Sequence, residues 1–87
     1  MSYNYMRAYQ GMPPLPKQPM VEYGALKSPV TGRVFADAEV NAYNQYTKDF
    51  NRLTYRAEQE FMLDQRHRFF EMCAYQGFEQ NSQQAQH

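Results

Sequence analysis

Within "EFMLDQRHRFFEMC" this sequence of 87 residues places four side chains of the metal-ligating type close together. Glu60, Asp64, His67 and Glu71 step by four, three and four, so on a helix they share one face. Carboxylate oxygens and an imidazole nitrogen on one face are ligands for iron or zinc, provided that other ligands complete the shell.

The Asp64-x-x-His67 pair resembles the Glu-x-x-His pair of di-iron four-helix bundles, which draw their remaining ligands from facing helices. One helix supplies only part of such a set, so a metal site would have to be built across a symmetric helical bundle. The simpler reading needs no metal. Asp64 pairs with Arg68 and His67 with Glu71, each one turn along, and the face is a solvated, salt-bridged surface. No cofactor is expected. Cys73 lies six residues after His67 on a different side of the helix, so the two make no nucleophile–base pair. Its apolar surroundings suit an inert packing thiol. The sequence contains no Gly-rich phosphate loop, Ser-centred elbow or zinc spacing, and no enzymatic activity is expected.

A second constellation is "PPLPKQP". Pro13, Pro14, Leu15 and Pro16 resemble the PPLP core of WW-domain ligands, and Pro13/Pro16 and Pro16/Pro19 are both PxxP pairs of the SH3 type. Lys17 stands one place ahead of the usual SH3 basic position, which Gln18 occupies. The preferred reading is a stiff arm laid across a neighbour. The alternative is a helical dimeric adaptor that offers the motif to a WW- or SH3-type domain.

Charge narrows the partners. Nine basic and nine acidic residues cancel, and Lys48, Arg52, Arg56, Arg66 and Arg68 are interleaved with Asp49, Glu58, Glu60, Asp64 and Glu71. Without a basic stripe, nucleic acid is not an expected partner. The single cysteine excludes an internal disulfide, so the fold needs no oxidising compartment. The sequence opens with no secretory pattern, and its apolar runs are far shorter than the ~20 residues that span a bilayer. An intracellular reducing compartment or an organelle interior is expected.

The elements that must position these groups follow from punctuation and period. Residues 1–24 form an extended arm, with Tyr3, Tyr5, Tyr9 and Tyr23 set around four prolines that forbid helix and deny hydrogen bonds to a sheet. Residues 25–36 hold a turn or hook, in which "SPVTGR" suits a β-turn with Pro29 second and Gly32 at its end, flanked by Leu26, Val34 and Phe35. Residues 37–76 contain neither Gly nor Pro and read as one long helix of roughly 60 Å, N-capped by Asp37 and stopped by Gly77. Residues 77–87 form a polar, Gln-rich tail. The fold class is mainly α and not a self-contained globule.

The helix changes character midway. Up to Ala57 its apolar residues keep to one face, but Phe61, Met62, Leu63, Phe69, Phe70 and Met72 then surround it, as in a buried helix. The arm covers one side by folding back, and other chains are needed for the rest. With four Leu, four Val and no Ile against eight Tyr, six Phe and six Met, the composition favours interfaces over a private core. These features predict a small non-enzymatic subunit that staples larger subunits in an organellar complex, a ciliary or cytoskeletal lattice, or a virus particle. Its contact residues are expected to be Tyr3, Tyr5, Tyr9, Pro13, Pro14, Leu15, Pro16, Phe50, Phe61, Leu63, Phe69, Phe70 and Met72. A homodimer is the second choice of assembly.

Overall fold

A computed structural model describes residues 9–75. Tyr3, Tyr5, the predicted Gly77 stop and the Gln-rich tail lie outside these residues.

The described chain is mainly helical, with two helices where one was expected: α1, Asp37–Arg52, and α2, Arg56–Tyr75. They pack against each other as a hairpin. Neither Gly nor Pro makes the break. Leu53 turns to an extended conformation (φ −85°, ψ 147°) and its N–H bonds the carbonyl of Phe50. The carbonyl of Tyr55 then accepts the N–H of Gln59 and opens α2. The physical reason is burial. A straight rod would leave both apolar faces in water, and helix propensity alone adds little stability. Folding back encloses Phe50 of α1 and Ala57 of α2, which are 0% and 4% exposed.

The start of α1 also differs in detail. Ala36 occupies the N-cap and Asp37 the first helical position. Ala36 has no side-chain acceptor, so the end is closed from the other direction: Glu39 accepts the Ala36 N–H at 2.8 Å.

The hook is present as a loop with one antiparallel bridge, Lys27 to Val34. It is closed by five residues, not four. Gly32 donates to the carbonyl of Ser28 (2.9 Å) and Ser28 donates to that of Arg33 (2.9 Å), while Gly32 takes φ +77°, a conformation that suits glycine. The Ser28 hydroxyl accepts the N–H groups of Val30 and Thr31, which stiffens the turn from within.

A small core joins the hook to both helices. Phe35, Val40, Cys73 and Ala74 are buried together, with Leu26, Phe69, Phe70 and Met72 packed against them. Phe35 stacks on Phe70 with ring centroids 5.3 Å apart, and Tyr43 meets Phe70 edge-on at 6.3 Å. No helix among the described residues is long and apolar enough to cross a membrane.

Candidate interaction site: a clasped proline arm and its anchor

The arm lies along the hairpin, held by side-chain amides. Gln59 accepts the N–H of Leu15 (2.7 Å) and donates to its carbonyl (3.2 Å). Asn51 does the same for Gln18 (2.8 and 2.9 Å). Asn44 does so for Val21 (2.9 and 2.8 Å). Each amide thus closes a two-bond ring on one backbone residue. The clasped residues are three apart, the period of a polyproline II strand. Three such residues rise about 9 Å and seven helical residues about 10.5 Å, so the Asn44–Asn51 heptad on α1 keeps step with Val21 and Gln18. Prolines stand at 13, 14, 16 and 19, and none falls on the row that must donate. The same period appears in burial: Leu15, Gln18 and Val21 are half-buried while their neighbours from Met12 to Met20 are exposed. Both ends are secured further. Arg56 donates to the carbonyl of Pro13 (3.0 Å), and the Tyr23 hydroxyl donates to Asn41 (2.6 Å).

The deepest of these amides is Gln59, 2% exposed. Its Nε2 also donates to the carbonyl of Leu53, so one side chain ties the arm, the interhelical break and α2 together.

An ion pair between exposed Arg33 and buried Glu39 anchors the hook. Arg33 reaches Glu39 with both terminal nitrogens (2.9 and 3.0 Å), a bidentate geometry that holds both groups in plane. The same guanidinium donates to the carbonyl of Cys73 (2.8 Å), and the Ser28 hydroxyl donates to the carbonyl of Ala74 (2.8 Å). Both carbonyls lie in the last described turn of α2, so the hook is bonded to that end of the helix. Burial alone would raise the carboxyl of Glu39, but hydrogen bonds from Arg33, the Ala36 N–H and the Cys73 thiol outweigh it and hold the group down at about 2. Burial and the adjacent Glu39 carboxylate push the Cys73 thiol up to about 12, so it stays protonated and weakly nucleophilic.

The sequence-predicted contact residues fall in three groups. Pro13, Pro14 and Pro16 are exposed, and Leu15 is half-buried in the clasp. Tyr9 is half-buried with the Arg56 guanidinium 6.0 Å from its ring centroid. Phe50 is fully enclosed by its own chain. Phe61, Leu63, Phe69, Phe70 and Met72 are each half-buried, and of these Phe69, Phe70 and Met72 lean on the chain's own core.

The candidate metal face carries ion pairs. Glu60 binds Arg56 (2.9 Å), Asp64 binds Arg68 (2.9 Å), and His67 lies 3.5 Å from Glu71, each pair one turn apart. The last two are the pairs expected from the sequence. Among the described residues no three His, Cys, Asp or Glu side chains converge on a common point. His67 also stacks on Phe70 at 6.5 Å, and it lines an open depression of about 320 Å³ with Tyr43, Leu63, Arg66 and Phe70. Arg66 lies 4.7 Å from the Tyr43 ring centroid and donates to the buried Thr47 hydroxyl (2.8 Å).

Sequence reasoning missed the three clasping amides, together with Arg33 and Ser28. Two signals pointed to the clasp: the proline-free row at every third position of the arm, and Asn44 and Asn51 one heptad apart on α1.

No protein-family model, curated protein or solved structure matches this chain.

Proposed function

We propose that the chain is a small non-enzymatic structural subunit that staples larger subunits within a multiprotein assembly. The organellar complex, the ciliary or cytoskeletal lattice and the virus particle are the candidate hosts. One observation carries the reading. α2 is apolar around most of its circumference, and the hairpin, arm and hook cover its large side chains only in part: Phe61, Met62, Leu63, Phe69, Phe70 and Met72 all keep some exposed surface. Tyr55 and Tyr75, at its two ends, are 68% and 63% exposed. Aromatic and methionine side chains left uncovered in this way are what protein interfaces bury, at ~1.5–3 kcal/mol for each large side chain fully removed from water. The hook and clasped arm support the same reading, since their hydrogen bonds tie them to the two helices beside this surface.

The test is incorporation. Phe61→Ala or Phe69→Ala is expected to lower the amount of chain recovered in the parent complex, while Asp64→Ala and His67→Ala leave it nearly unchanged. Because Phe69 leans on the chain's own core, Tyr55→Ser is the cleaner variant: its ring touches little of its own chain, so incorporation is expected to fall with no change in folded stability. Dispensable aromatic groups with essential Asp64 and His67 would overturn the staple and revive the metal site.

A further inference from the structure

We infer that the outward proline ridge Pro13–Pro16–Pro19 is a ligand for a protein domain that grips polyproline II in a groove of aromatic rings with an acidic rim, and that it is read while the arm stays clasped. This goes beyond the staple reading and does not depend on it.

The register of the clasp carries the inference. A polyproline II strand is a rod with three rows of residues. The amides of Gln59, Asn51 and Asn44 occupy the row of Leu15, Gln18 and Val21, both their N–H groups and their carbonyls. The two remaining rows face outward. One is proline at all three positions, 13, 16 and 19, and the other is Pro14, Lys17 and Met20. All six are exposed.

Recognition of this kind works because the ligand strand is already formed and loses little entropy on docking into aromatic rings. Here the strand is fixed twice over, by its prolines and by six hydrogen bonds from folded helices. The carbonyls of Pro14, Pro16 and Lys17 accept no hydrogen bond from the described residues, so they remain available to a tyrosine hydroxyl or an indole N–H of the groove. Charge chooses the rim. Lys17, one place ahead of the usual SH3 basic position, is the only charged residue from Met12 to Val21, and it is exposed and forms no ion pair among the described residues. The register also decides between two ligand types. The PPLP core needs Leu15, which the clasp holds half-buried with both backbone groups occupied. The three rings of the PxxPxxP ridge are exposed, and of its backbone groups only the carbonyl of Pro13 is taken, by Arg56.

The experiment is an array of isolated SH3 and WW domains probed with the full chain, followed by titration of each domain that binds. An SH3-type domain is expected to bind. The Pro13→Ala/Pro16→Ala/Pro19→Ala triple variant keeps the clasping amides and is expected to lose at least ~10-fold in affinity, with unchanged helical circular dichroism. Asn51→Ala loosens the clasp and is expected to weaken binding ~3- to 10-fold, because the strand must then be ordered on docking. Absence of binding across the array, or full affinity in the triple variant, would overturn the inference. So would tighter binding by Asn51→Ala, which means that the arm must leave the clasp to be read, or a WW-domain contact that requires Leu15. Any of these results would leave incorporation through Tyr55 and the α2 surface untouched, so the two readings fail separately.

Discussion

Gln59 and Leu15 stand 44 residues apart in sequence, yet they form a closed ring of two hydrogen bonds, N–H to Oε1 at 2.7 Å and Nε2 to carbonyl at 3.2 Å. The amide does for one residue of the arm what a neighbouring strand does in a sheet. It reads backbone, so it specifies where the arm lies without demanding a particular side chain there.

Gln59→Ala is therefore expected to unlatch the arm near Leu15 and free the carbonyl of Leu53. Denaturant unfolding is expected to show a loss of about 1–3 kcal/mol. Amide exchange at Leu15 should accelerate more than at Val21, which Asn44 still holds. Uniform acceleration along the arm would mean that the three amides act as one unit.

The acid limb of stability is expected to come from Glu39. Its carboxyl titrates at about 2 in the folded chain against an ordinary 4.5, and its side chain is almost wholly buried. A depressed acid stabilises the fold above its unfolded value. That contribution is complete above pH 4.5 and disappears as pH falls from there towards 2. The span corresponds to a loss on the order of 3 kcal/mol. Urea midpoints measured between pH 7 and pH 2.5 check it, and Glu39→Gln should be less stable at pH 7 with a flatter acid limb. An acid limb of unchanged slope in that variant would assign the effect to other carboxyls.

Cys73 gives the opposite limb. Its thiol is raised from 9.0 to about 12, so the folded chain favours the neutral form. The contribution is complete below pH 9 and is lost as pH rises from 9 towards 12. A thiol-specific reagent at pH 8 should react with native chain far more slowly than with chain unfolded in denaturant. Equal rates would show that the hook opens readily from the end of α2.

Much of this arrangement was legible in the sequence. The prolines excluded helix and sheet between Met12 and Met20. Pro29 and Gly32 marked the turn, though as one of four residues where five close it, and the period and absence of breakers marked the helical character of 37–76, read as one helix where the structure has two. The pairs Asp64–Arg68 and His67–Glu71 needed only helical spacing. The break at Leu53–Tyr55 was hidden because no residue there forbids helix. It goes with the burial of Phe50 and Ala57 on either side of it, which the packing of one helix on the other provides and local propensity does not encode. The change from one apolar face to an all-round pattern marked the place without identifying it as a turn. The clasp was hidden for a similar reason. Asn and Gln on a helix look solvated until the strand that they hold is known. Glu39 looked like a first-turn charge, and only the approach of Arg33 and Cys73 makes it a buried anchor.

Ser28 offers a test of the hook's bond to the end of α2. Ser28→Ala removes the hydroxyl that binds the carbonyl of Ala74 and accepts the N–H groups of Val30 and Thr31. A loss of about 1–2 kcal/mol is expected, with fraying at the end of α2 visible as faster amide exchange in its last turn. Exchange that changes only within residues 28–33 would confine the role of Ser28 to its own turn.

The staple reading meets its most direct test in the native size of the species that carries this chain in its own cells. The full chain, tagged and extracted under mild conditions, is to be sedimented beside the Tyr55→Ser/Tyr75→Ser double variant. The wild-type chain is predicted to travel almost entirely with an assembly far larger than 87 residues, and the variant to shift to slowly sedimenting fractions while keeping its helical circular dichroism. A wild-type chain that sediments as a free monomer, or a variant that remains fully in the large fraction, would contradict the claim that partner subunits cover the exposed surface around α2.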